Sequence, residues 1–201
     1  MEFEPWDMDG RLFDTTYGTD TAGKILSQDM KTASPLVSQA SSYLGVTPDR
    51  VHAAVKATGI DPGDFTFIDL GCGKGRALLV AAQMGFSTVI GVEFAEELVE
   101  IAKRNIAIMG FRNASVVAGD AGAYQFPPGD LVVFLHNPFW IPVMKRMVEN
   151  LGRAPFRRLF VIYLTPKIPE ALDAAAFLEP IPAPDDPPHG MRLYRGRSPI
   201  W

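Results

Sequence analysis

The most constraining feature of this sequence is a short apolar run that ends in an acidic residue and three alternating glycines. The run spans residues 65–70 with Asp69 near its end, and the glycines are Gly71, Gly73 and Gly75. Such a run is typical of a strand buried on both faces of a sheet. The glycines allow a sharp turn, and the apolar segment after them predicts a helix whose unpaired N–H groups face the turn. We therefore expect a strand–turn–helix unit with a ligand at the turn.

The spacing of these glycines separates two classes of nucleotide site. A dinucleotide fingerprint requires the pattern G-x-G-x-x-G, and Arg76 stands where its third glycine belongs. The order Asp-x-Gly-x-Gly-x-Gly instead resembles the first motif of class I S-adenosylmethionine (SAM)-dependent methyltransferases. The resemblance extends over residues 61–196.

Composition limits the chain to an ordinary globular class. Its 201 residues fit one domain, and 47% are hydrophobic and 21% charged. The net charge of −4 gives no general attraction to nucleic acid or to an anionic membrane. No apolar run is long enough to cross a bilayer. These features give no strong nucleic-acid signal, and we expect no membrane partner.

Cysteine and histidine usage indicates the compartment and the absence of a metal. Cys72 is the only cysteine, so no internal disulfide can form, and the acidic N-terminus interrupted by Pro5 does not resemble a signal peptide. Both features favour a cytoplasmic protein. His52, His136 and His189 form no metal-ligand pattern with acids or cysteine, so no metal site is expected.

Short apolar strands alternate with helices along most of the chain. Four further strands are predicted at 88–93, 114–118, 131–135 and 159–164, and helices at 48–58, 76–84, 96–109, 141–151 and 169–176. Segments 177–184 and 191–196 read as an antiparallel hairpin joined by a proline-rich turn. The pattern predicts an α/β fold: a three-layer Rossmann-like sandwich with a mostly parallel seven-stranded sheet and a C-terminal antiparallel hairpin. Class I methyltransferases share this plan of elements.

The N-terminal part has a less regular pattern. Residues 1–34 show no clear periodicity, and 35–44 could form a short helix. We expect residues 1–60 to form an arm and helices that cover the sheet, and 61–201 to form the SAM-binding core, within one structural domain overall. Tyr17 lies in a hinge-like stretch of the arm. The arm is either packed across the domain by its aromatic residues or a lid over the cofactor or acceptor, in which case Tyr17 binds substrate.

An acidic residue lies at or just after the end of each of the first three strands, where open α/β sheets bind ligands. The resemblance implies that Asp69 and the glycine turn contact the methionyl end of SAM and the adjoining ribose. It implies that Glu93 binds both ribose hydroxyls and that Asp120 binds the adenine amino group. The alternative is that Asp69 caps the next helix and that Glu93 and Asp120 are exposed loop charges. The expected cofactor-binding set is Asp69, Gly71, Cys72, Gly73, Gly75, Glu93, Asp120, Ala121 and Asn137.

The fourth strand is followed by Asn137-Pro138-Phe139. This motif resembles the Asn/Asp-Pro-Pro-Tyr/Phe motif of methyltransferases that act on planar nitrogens, although the second proline is missing and Phe139 stands one position early. The resemblance implies that Asn137 is catalytic and that Pro138 and Phe139 contact the substrate. The alternative is a turn in which Phe139 caps the core. His136 is a candidate base or a structural residue.

These features together predict a SAM-dependent methyltransferase (a transferase) that acts by in-line displacement. The acceptor is unidentified, a small molecule or a protein side chain, with nitrogen as one candidate atom. An aminopropyltransferase-like enzyme and a non-catalytic SAM- or nucleotide-binding module are the alternatives. A nucleotide-dependent oxidoreductase is disfavoured by Arg76.

Overall fold

The order of helices and strands in the computed structural model is described for residues 8–30, 41–186 and 190–197. The helices are Met8–Tyr17 (α1), Pro48–Thr58 (α2), Arg76–Gln83 (α3), Glu96–Met109 (α4), Ile141–Gly152 (α5) and Glu170–Asp173 (α6). The strands are Lys24–Ile25 (β1), Tyr43–Leu44 (β2), Thr66–Leu70 (β3), Thr88–Glu93 (β4), Ala114–Ala118 (β5), Gly129–His136 (β6), Phe156–Leu164 (β7), Leu178–Ile181 (β8) and Met191–Gly196 (β9).

Seven of these strands form one sheet in the order β5-β4-β3-β6-β7-β9-β8. The strands from β5 to β7 are parallel, and β9 runs antiparallel to both β7 and β8. The strand order changes direction between β3 and β6, which opens a crevice at the carboxyl ends of these two strands. The predicted α/β sandwich with its C-terminal hairpin is confirmed.

Each face of the sheet is covered by helices, because the side chains of a buried strand alternate between two apolar layers. Phe67 and Phe134 pack with residues of α2 and α3, including Val51 and Leu78. Ile68 and Val133 point to the opposite side and pack with residues of α5 and α6, including Met144 and Leu172. The sheet is therefore the middle of three layers, and β3 and β6 form its centre.

Two strands extend further toward their N-termini than the apolar pattern indicated. β6 begins at Gly129 and β7 at Phe156, because the charged residues there satisfy one another. Asp130 accepts hydrogen bonds from Arg157 Nε at 2.9 Å and Arg158 Nη2 at 2.8 Å. This pairing holds the Asp130 pKa well below its usual range. The last predicted helix is shorter than expected and covers Glu170–Asp173 only.

The N-terminal segment contains two elements that its sequence pattern did not indicate. Residues 8–17, which show no clear periodicity, form α1, and Tyr43–Leu44 is a strand paired with Lys24–Ile25 rather than part of the short helix considered for 35–44. The α1 helix gives a weak pattern because Phe13 is buried while Leu12 is 68% exposed. Two-residue strands are too short to show a period. Residues 35–40 of the predicted helix lie outside the described residues, as does His189.

Candidate functional site

A cavity lies at the carboxyl ends of the central parallel strands and contains about 820 Å³ of space, its open mouth included. Residues 41–46, which carry β2, form part of the cavity wall. The cavity lies at the reversal of strand order, where open α/β sheets bind ligands. The predicted site residues that line it are Asp69, Gly71, Cys72, Gly73, Glu93, Asp120, Ala121, Asn137, Pro138 and Phe139.

The glycine turn brings backbone close to two other segments of the site. Gly71 and Gly73 both have positive φ angles, 79° and 55°. A Cβ on Gly71 would lie 2.5 Å from Pro138 Cβ, and one on Gly73 would overlap the Tyr43 ring. Only residues without a Cβ fit both the conformation and the space here. The turn thus allows the loop after β6 and the β2 segment to pack directly on its backbone.

Glu93 at the end of β4 is held in place by backbone N–H groups. Its Oε2 accepts a hydrogen bond from Gly73 N at 3.0 Å, and Oε1 accepts one from Ala95 N at 2.9 Å. Burial raises the Glu93 pKa, and the hydrogen bonds from Ala95 and Gly73 oppose that rise. A carboxylate has about four acceptor positions, so both oxygens retain capacity for a ligand.

Asp69 at the end of β3 is buried with Glu93 nearby. Burial raises the Asp69 pKa well above its usual value, and the Glu93 charge raises it further. A group with this environment favours a neighbouring cation, since a positive charge would restore its ionised form. Cys72 shares this environment. Burial and then the Asp69 charge raise the pKa of its thiol, which agrees with a small turn residue rather than a nucleophile.

Asp120 follows β5 and is bound on both oxygens. Oδ1 accepts from Gly122 N at 2.8 Å and caps the short 3₁₀ turn Ala121–Ala123. Oδ2 accepts from Arg146 of α5 at 2.9 Å, and the two side chains are 24% and 45% exposed. These contacts therefore fix the orientation of the Asp120 side chain, which is partly exposed and lines the cavity.

Asn137 is the most unusual residue of the site. Its backbone has a φ of 46°, and its side-chain oxygen Oδ1 is buried with no hydrogen-bond partner among the described residues. A buried acceptor without a partner costs about 1–3 kcal/mol. The next residue, Pro138, accepts a hydrogen bond from Ser41 N at 3.0 Å, which joins this loop to the segment before β2. The cavity is thus lined by a residue whose buried acceptor oxygen has no donor among the described residues.

Two predicted site residues lie elsewhere in the structure. Tyr17 ends α1, where its ring packs 4.7 Å from the Phe13 ring and is 40% exposed. Gly75 precedes α3, and a Cβ there would meet Ala102 of α4 at 3.1 Å. Neither is among the described residues that line the cavity.

Two cavity residues were not predicted from the sequence. The Tyr43 hydroxyl donates to Thr21 O at 2.5 Å while its ring lies on Gly73, and burial raises the Tyr43 pKa. Arg76 is only 4% exposed and its three guanidinium nitrogens donate to Thr21 Oγ1, Thr21 O and Val46 O. These contacts fix the N-terminal segment against the glycine turn. They join positions far apart in the sequence, so no local pattern could have indicated them.

The described residues contain no group of three or more metal-ligating side chains placed to hold an ion. Within the same residues, no helix has the length and apolar character needed to span a membrane.

The glycine turn, the strand-end acids and the Asn137 loop all fall within a recognised family match. Residues 63–138 match the model of a methyltransferase domain. The match covers less than half of the chain. The methyltransferase domain match begins just before β3 and ends at Pro138, so it covers the acids and Asn137 but not the residues of β2.

Two curated relatives resemble part of this chain. An uncharacterised RNA methyltransferase from Caldanaerobacter subterraneus is 34% identical over 105 residues, covering 52% of this chain and 22% of the relative. A protein-L-isoaspartate O-methyltransferase from Pyrococcus horikoshii is 33% identical over 107 residues, covering 52% of this chain and 47% of the relative. The chain spans less than half the length of either relative.

Solved structures share the fold at low sequence identity. A SAM-dependent methyltransferase from Aquifex aeolicus has a TM-score of 0.56 at 19% identity, covering 74% of this chain and 88% of that one. A ribosomal protein L11 methylase from Lactobacillus delbrueckii has a TM-score of 0.53 at 16% identity, covering 73% and 76%. The chain therefore shares the Rossmann-like fold of these structures.

Proposed function

We propose that this protein transfers a methyl group from SAM to an acceptor held at Asn137. The observation that carries the proposal concerns Asn137, which lines the cavity together with Asp69, Glu93 and Asp120. Its buried Oδ1 has no hydrogen-bond partner among the described residues. The family match over residues 63–138 supports the reaction class.

The chemistry of the cavity fits SAM. Besides the carboxylate of its methionyl end, this cofactor carries a sulfonium, an ammonium, a ribose diol and an adenine amino group, which are cations or hydrogen-bond donors. The cavity supplies carboxylates from Asp69, Glu93 and Asp120. Burial and the charge of Glu93 disfavour the ionised form of Asp69, as its raised pKa indicates, and a bound cation would offset both effects. Donor-rich ligand and acceptor-rich cavity are thus complementary.

A phosphate-bearing nucleotide fits less well. Among the described residues that line the cavity, Arg76 carries the only fixed positive charge. Its three nitrogens already donate to Thr21 and Val46. Lys74, on the glycine turn, donates to Asp20 Oδ1 at 2.7 Å and Ala22 O at 2.9 Å. The cations nearest to the glycine turn are therefore engaged with the N-terminal segment, which disfavours NAD or ATP.

The strand-end acids have distinct proposed roles. Glu93, fixed by Gly73 N and Ala95 N, accepts from the ribose hydroxyls. Asp69 and the glycine turn hold the methionyl end, and Asp120 with Ala121 holds the adenine. Each of these assignments follows the family resemblance, and the orientation of Glu93 and Asp120 by backbone N–H groups supports them.

When bound, SAM supplies a methyl group on a positively charged sulfur. The chain then has to align the acceptor and exclude water, since displacement needs no covalent intermediate on the protein. Asn137 Oδ1 accepts a hydrogen bond from an N–H of the acceptor, and Phe139 and Pro138 form the adjacent apolar wall. A planar or amine nitrogen meets this need because it offers both a donor N–H and a lone pair.

Calorimetric titration with S-adenosylhomocysteine (SAH), with NAD and ATP as controls, tests the cofactor. Selective binding of SAH is expected. Binding of NAD or ATP without SAH would contradict the proposal and return the glycine turn to a generic nucleotide site.

Two variants of Asn137 test the acceptor role once radiolabelled methyl transfer to amines, carboxylates or proteins identifies a substrate. Asn137→Ala is expected to reduce turnover by on the order of 10- to 100-fold while SAH affinity stays within about twofold. Asn137→Asp keeps an acceptor oxygen and serves as the matched control, with turnover largely retained. Full activity in Asn137→Ala would remove this residue from the mechanism.

A further inference from the structure

The loops after β6 and β7 share an uncommon backbone feature. Asn137 and Thr165 have φ angles of 46° and 51°, and they are the two non-glycine residues with positive φ in the described part of the chain. Each follows the last residue of its strand, and those last residues, His136 and Leu164, are register partners. Such conformations are energetically unfavourable for residues other than glycine and persist where surrounding contacts fix them. For Thr165 the strain is larger than usual because its side chain is β-branched.

One side chain reaches both strained strand ends. Arg50 of α2 places Nη1 at 3.4 Å from His136 Nε2, and its Nη2 donates to Thr165 Oγ1 at 3.2 Å. The same nitrogen donates to Asp186 Oδ2 at 2.6 Å and to Gly190 O at 3.4 Å. Arg50 and Asp186 have only 15% and 13% of their side chains exposed. A single guanidinium thus bonds the ends of β6 and β7 to both described ends of the β8–β9 connection.

The contact with His136 fixes the state of its imidazole ring. A guanidinium has donors and no acceptor, so Nε2 must provide the lone pair in this contact. A neutral ring whose Nε2 carries no proton has its proton on Nδ1. Protonating Nε2 would remove the accepted bond and place a second positive charge 3.4 Å from the first. His136 also lines the cavity beside Asn137.

We propose that Arg50 is a positioning residue for the acceptor side of the cavity, holding His136 neutral with its proton on Nδ1 beside the strained turn that presents Asn137. In this state His136 Nε2 is not a general base. The ring instead contributes a fixed wall of the cavity. That this side of the cavity binds the acceptor rests on the proposed function, whereas the protonation of the His136 ring follows from its contact with Arg50.

Nuclear magnetic resonance of ¹⁵N-labelled protein tests this inference. Long-range ¹H–¹⁵N correlation distinguishes protonated from unprotonated ring nitrogens, and the His136→Gln variant assigns the signals among the three histidines. In the wild type at neutral pH, His136 is expected to have an unprotonated Nε2 and a protonated Nδ1. In Arg50→Met the proton is expected to redistribute to Nε2.

Lys56→Met provides the matched control, because it removes a cation from an exposed position on the same helix. Its His136 signals are expected to equal those of the wild type. Calorimetry should find the SAH affinity of Arg50→Met within about twofold of the wild type, since the ring contact lies outside the strand-end acids.

Three results would overturn the inference. The first is a proton on Nε2 in the wild type, which can be read even if Arg50→Met does not fold. The second is an unchanged His136 spectrum in Arg50→Met. The third is a tautomer change with a large loss of SAH affinity, which would give Arg50 a general structural role. A wild type that does not bind SAH would contradict the proposed function and leave the tautomer result readable.

Discussion

Asp69 and Glu93 are two acidic residues in one buried cavity, and burial raises the pKa of each. Their carboxyl groups therefore retain a proton in the folded chain at pH values where they would be ionised in the unfolded chain. A bound cation would oppose this effect. The pair consequently links ligand binding, proton release and stability at the level of single side chains.

The pH dependence of stability is expected to report this pair. Above the ordinary aspartate value of about 4, the folded state holds a proton on Asp69 that the unfolded state has lost, so the free energy of unfolding falls as pH rises toward the raised pKa. Asp69→Asn is expected to show a smaller fall. Urea denaturation at pH steps above about 4 measures the difference.

Asp130 provides an internal contrast, since Arg157 and Arg158 lower its pKa. Its contribution to stability is lost only as pH falls below the ordinary aspartate pKa, whereas the effect of Asp69 occurs above that pKa. The two residues therefore affect stability in different pH ranges. If the free energy of unfolding changed with pH equally in the wild type and in Asp69→Asn, Asp69 would not be a buried carboxyl group with a raised pKa.

At the scale of elements, the glycine turn and β2 form one packed unit. The Tyr43 ring occupies the space that a Cβ on Gly73 would fill, and its hydroxyl bonds to Thr21 O. The cavity wall made by residues 41–46 depends on this contact. A substitution at Gly73 should therefore displace β2, although β2 lies thirty residues earlier in the sequence.

Gly73→Ala tests this dependence against Gly110→Ala. Both positions have positive φ, at 55° and 70°, but nothing lies within 4 Å of a Cβ on Gly110. The left-handed backbone alone costs about 1–2 kcal/mol at either site. Overlap with Tyr43 adds roughly 1–3 kcal/mol at Gly73. We expect the urea midpoint to fall further in Gly73→Ala than in Gly110→Ala. We expect SAH affinity to fall only in Gly73→Ala.

Equal effects of the two substitutions on stability and on SAH affinity would show that the Tyr43 contact does not shape the cavity. Tyr43→Ala in the Gly73→Ala background gives a further check. Removing the ring should recover part of the stability lost through overlap.

The elements that the sequence predicted best have local signals at both ends. Thr88–Glu93, Glu96–Met109 and Ala114–Ala118 were predicted to the residue, because an acid or a turn glycine bounds each apolar pattern. Strands β6 and β7 were predicted too short, since their first residues are charged and satisfied only by each other. Periodicity cannot show such pairing between distant segments.

The candidate site was predictable to the extent that it depends on strand ends. Asp69, Glu93 and Asp120 could be placed on one edge because parallel strands end together. The unpartnered Asn137 oxygen, the Tyr43 ring and the Arg50 contacts depend on backbone torsion and long-range packing. Those are properties of the folded chain that no spacing of residues contains.

At the scale of the whole molecule, the sheet has a protected centre and unequal edges. β3 and β6 lie between neighbours on both sides and are almost entirely buried. β5 is an edge strand in which Val117 is 44% exposed. Opening free energies usually follow such differences in burial.

Hydrogen exchange followed by mass spectrometry is expected to reflect this order. Peptides from β3 and β6 should exchange most slowly and those from β5 and β8 fastest, because edge strands open without disrupting the core. β5 exchanging as slowly as β3 would instead indicate that the sheet opens as one cooperative unit, or that another chain covers this edge.

The buried guanidinium of Arg76 also has an evolutionary consequence. It lies between Gly10 of α1 and Gly45, where a Cβ on Gly10 would overlap it and one on Gly45 would come within 2.7 Å. Its hydrogen bonds to Thr21 and Val46 prevent it from moving aside. A side chain at either glycine would therefore clash with the arginine. Among related chains the three positions should change together, with small residues at 10 and 45 wherever position 76 is arginine and larger ones where it is not.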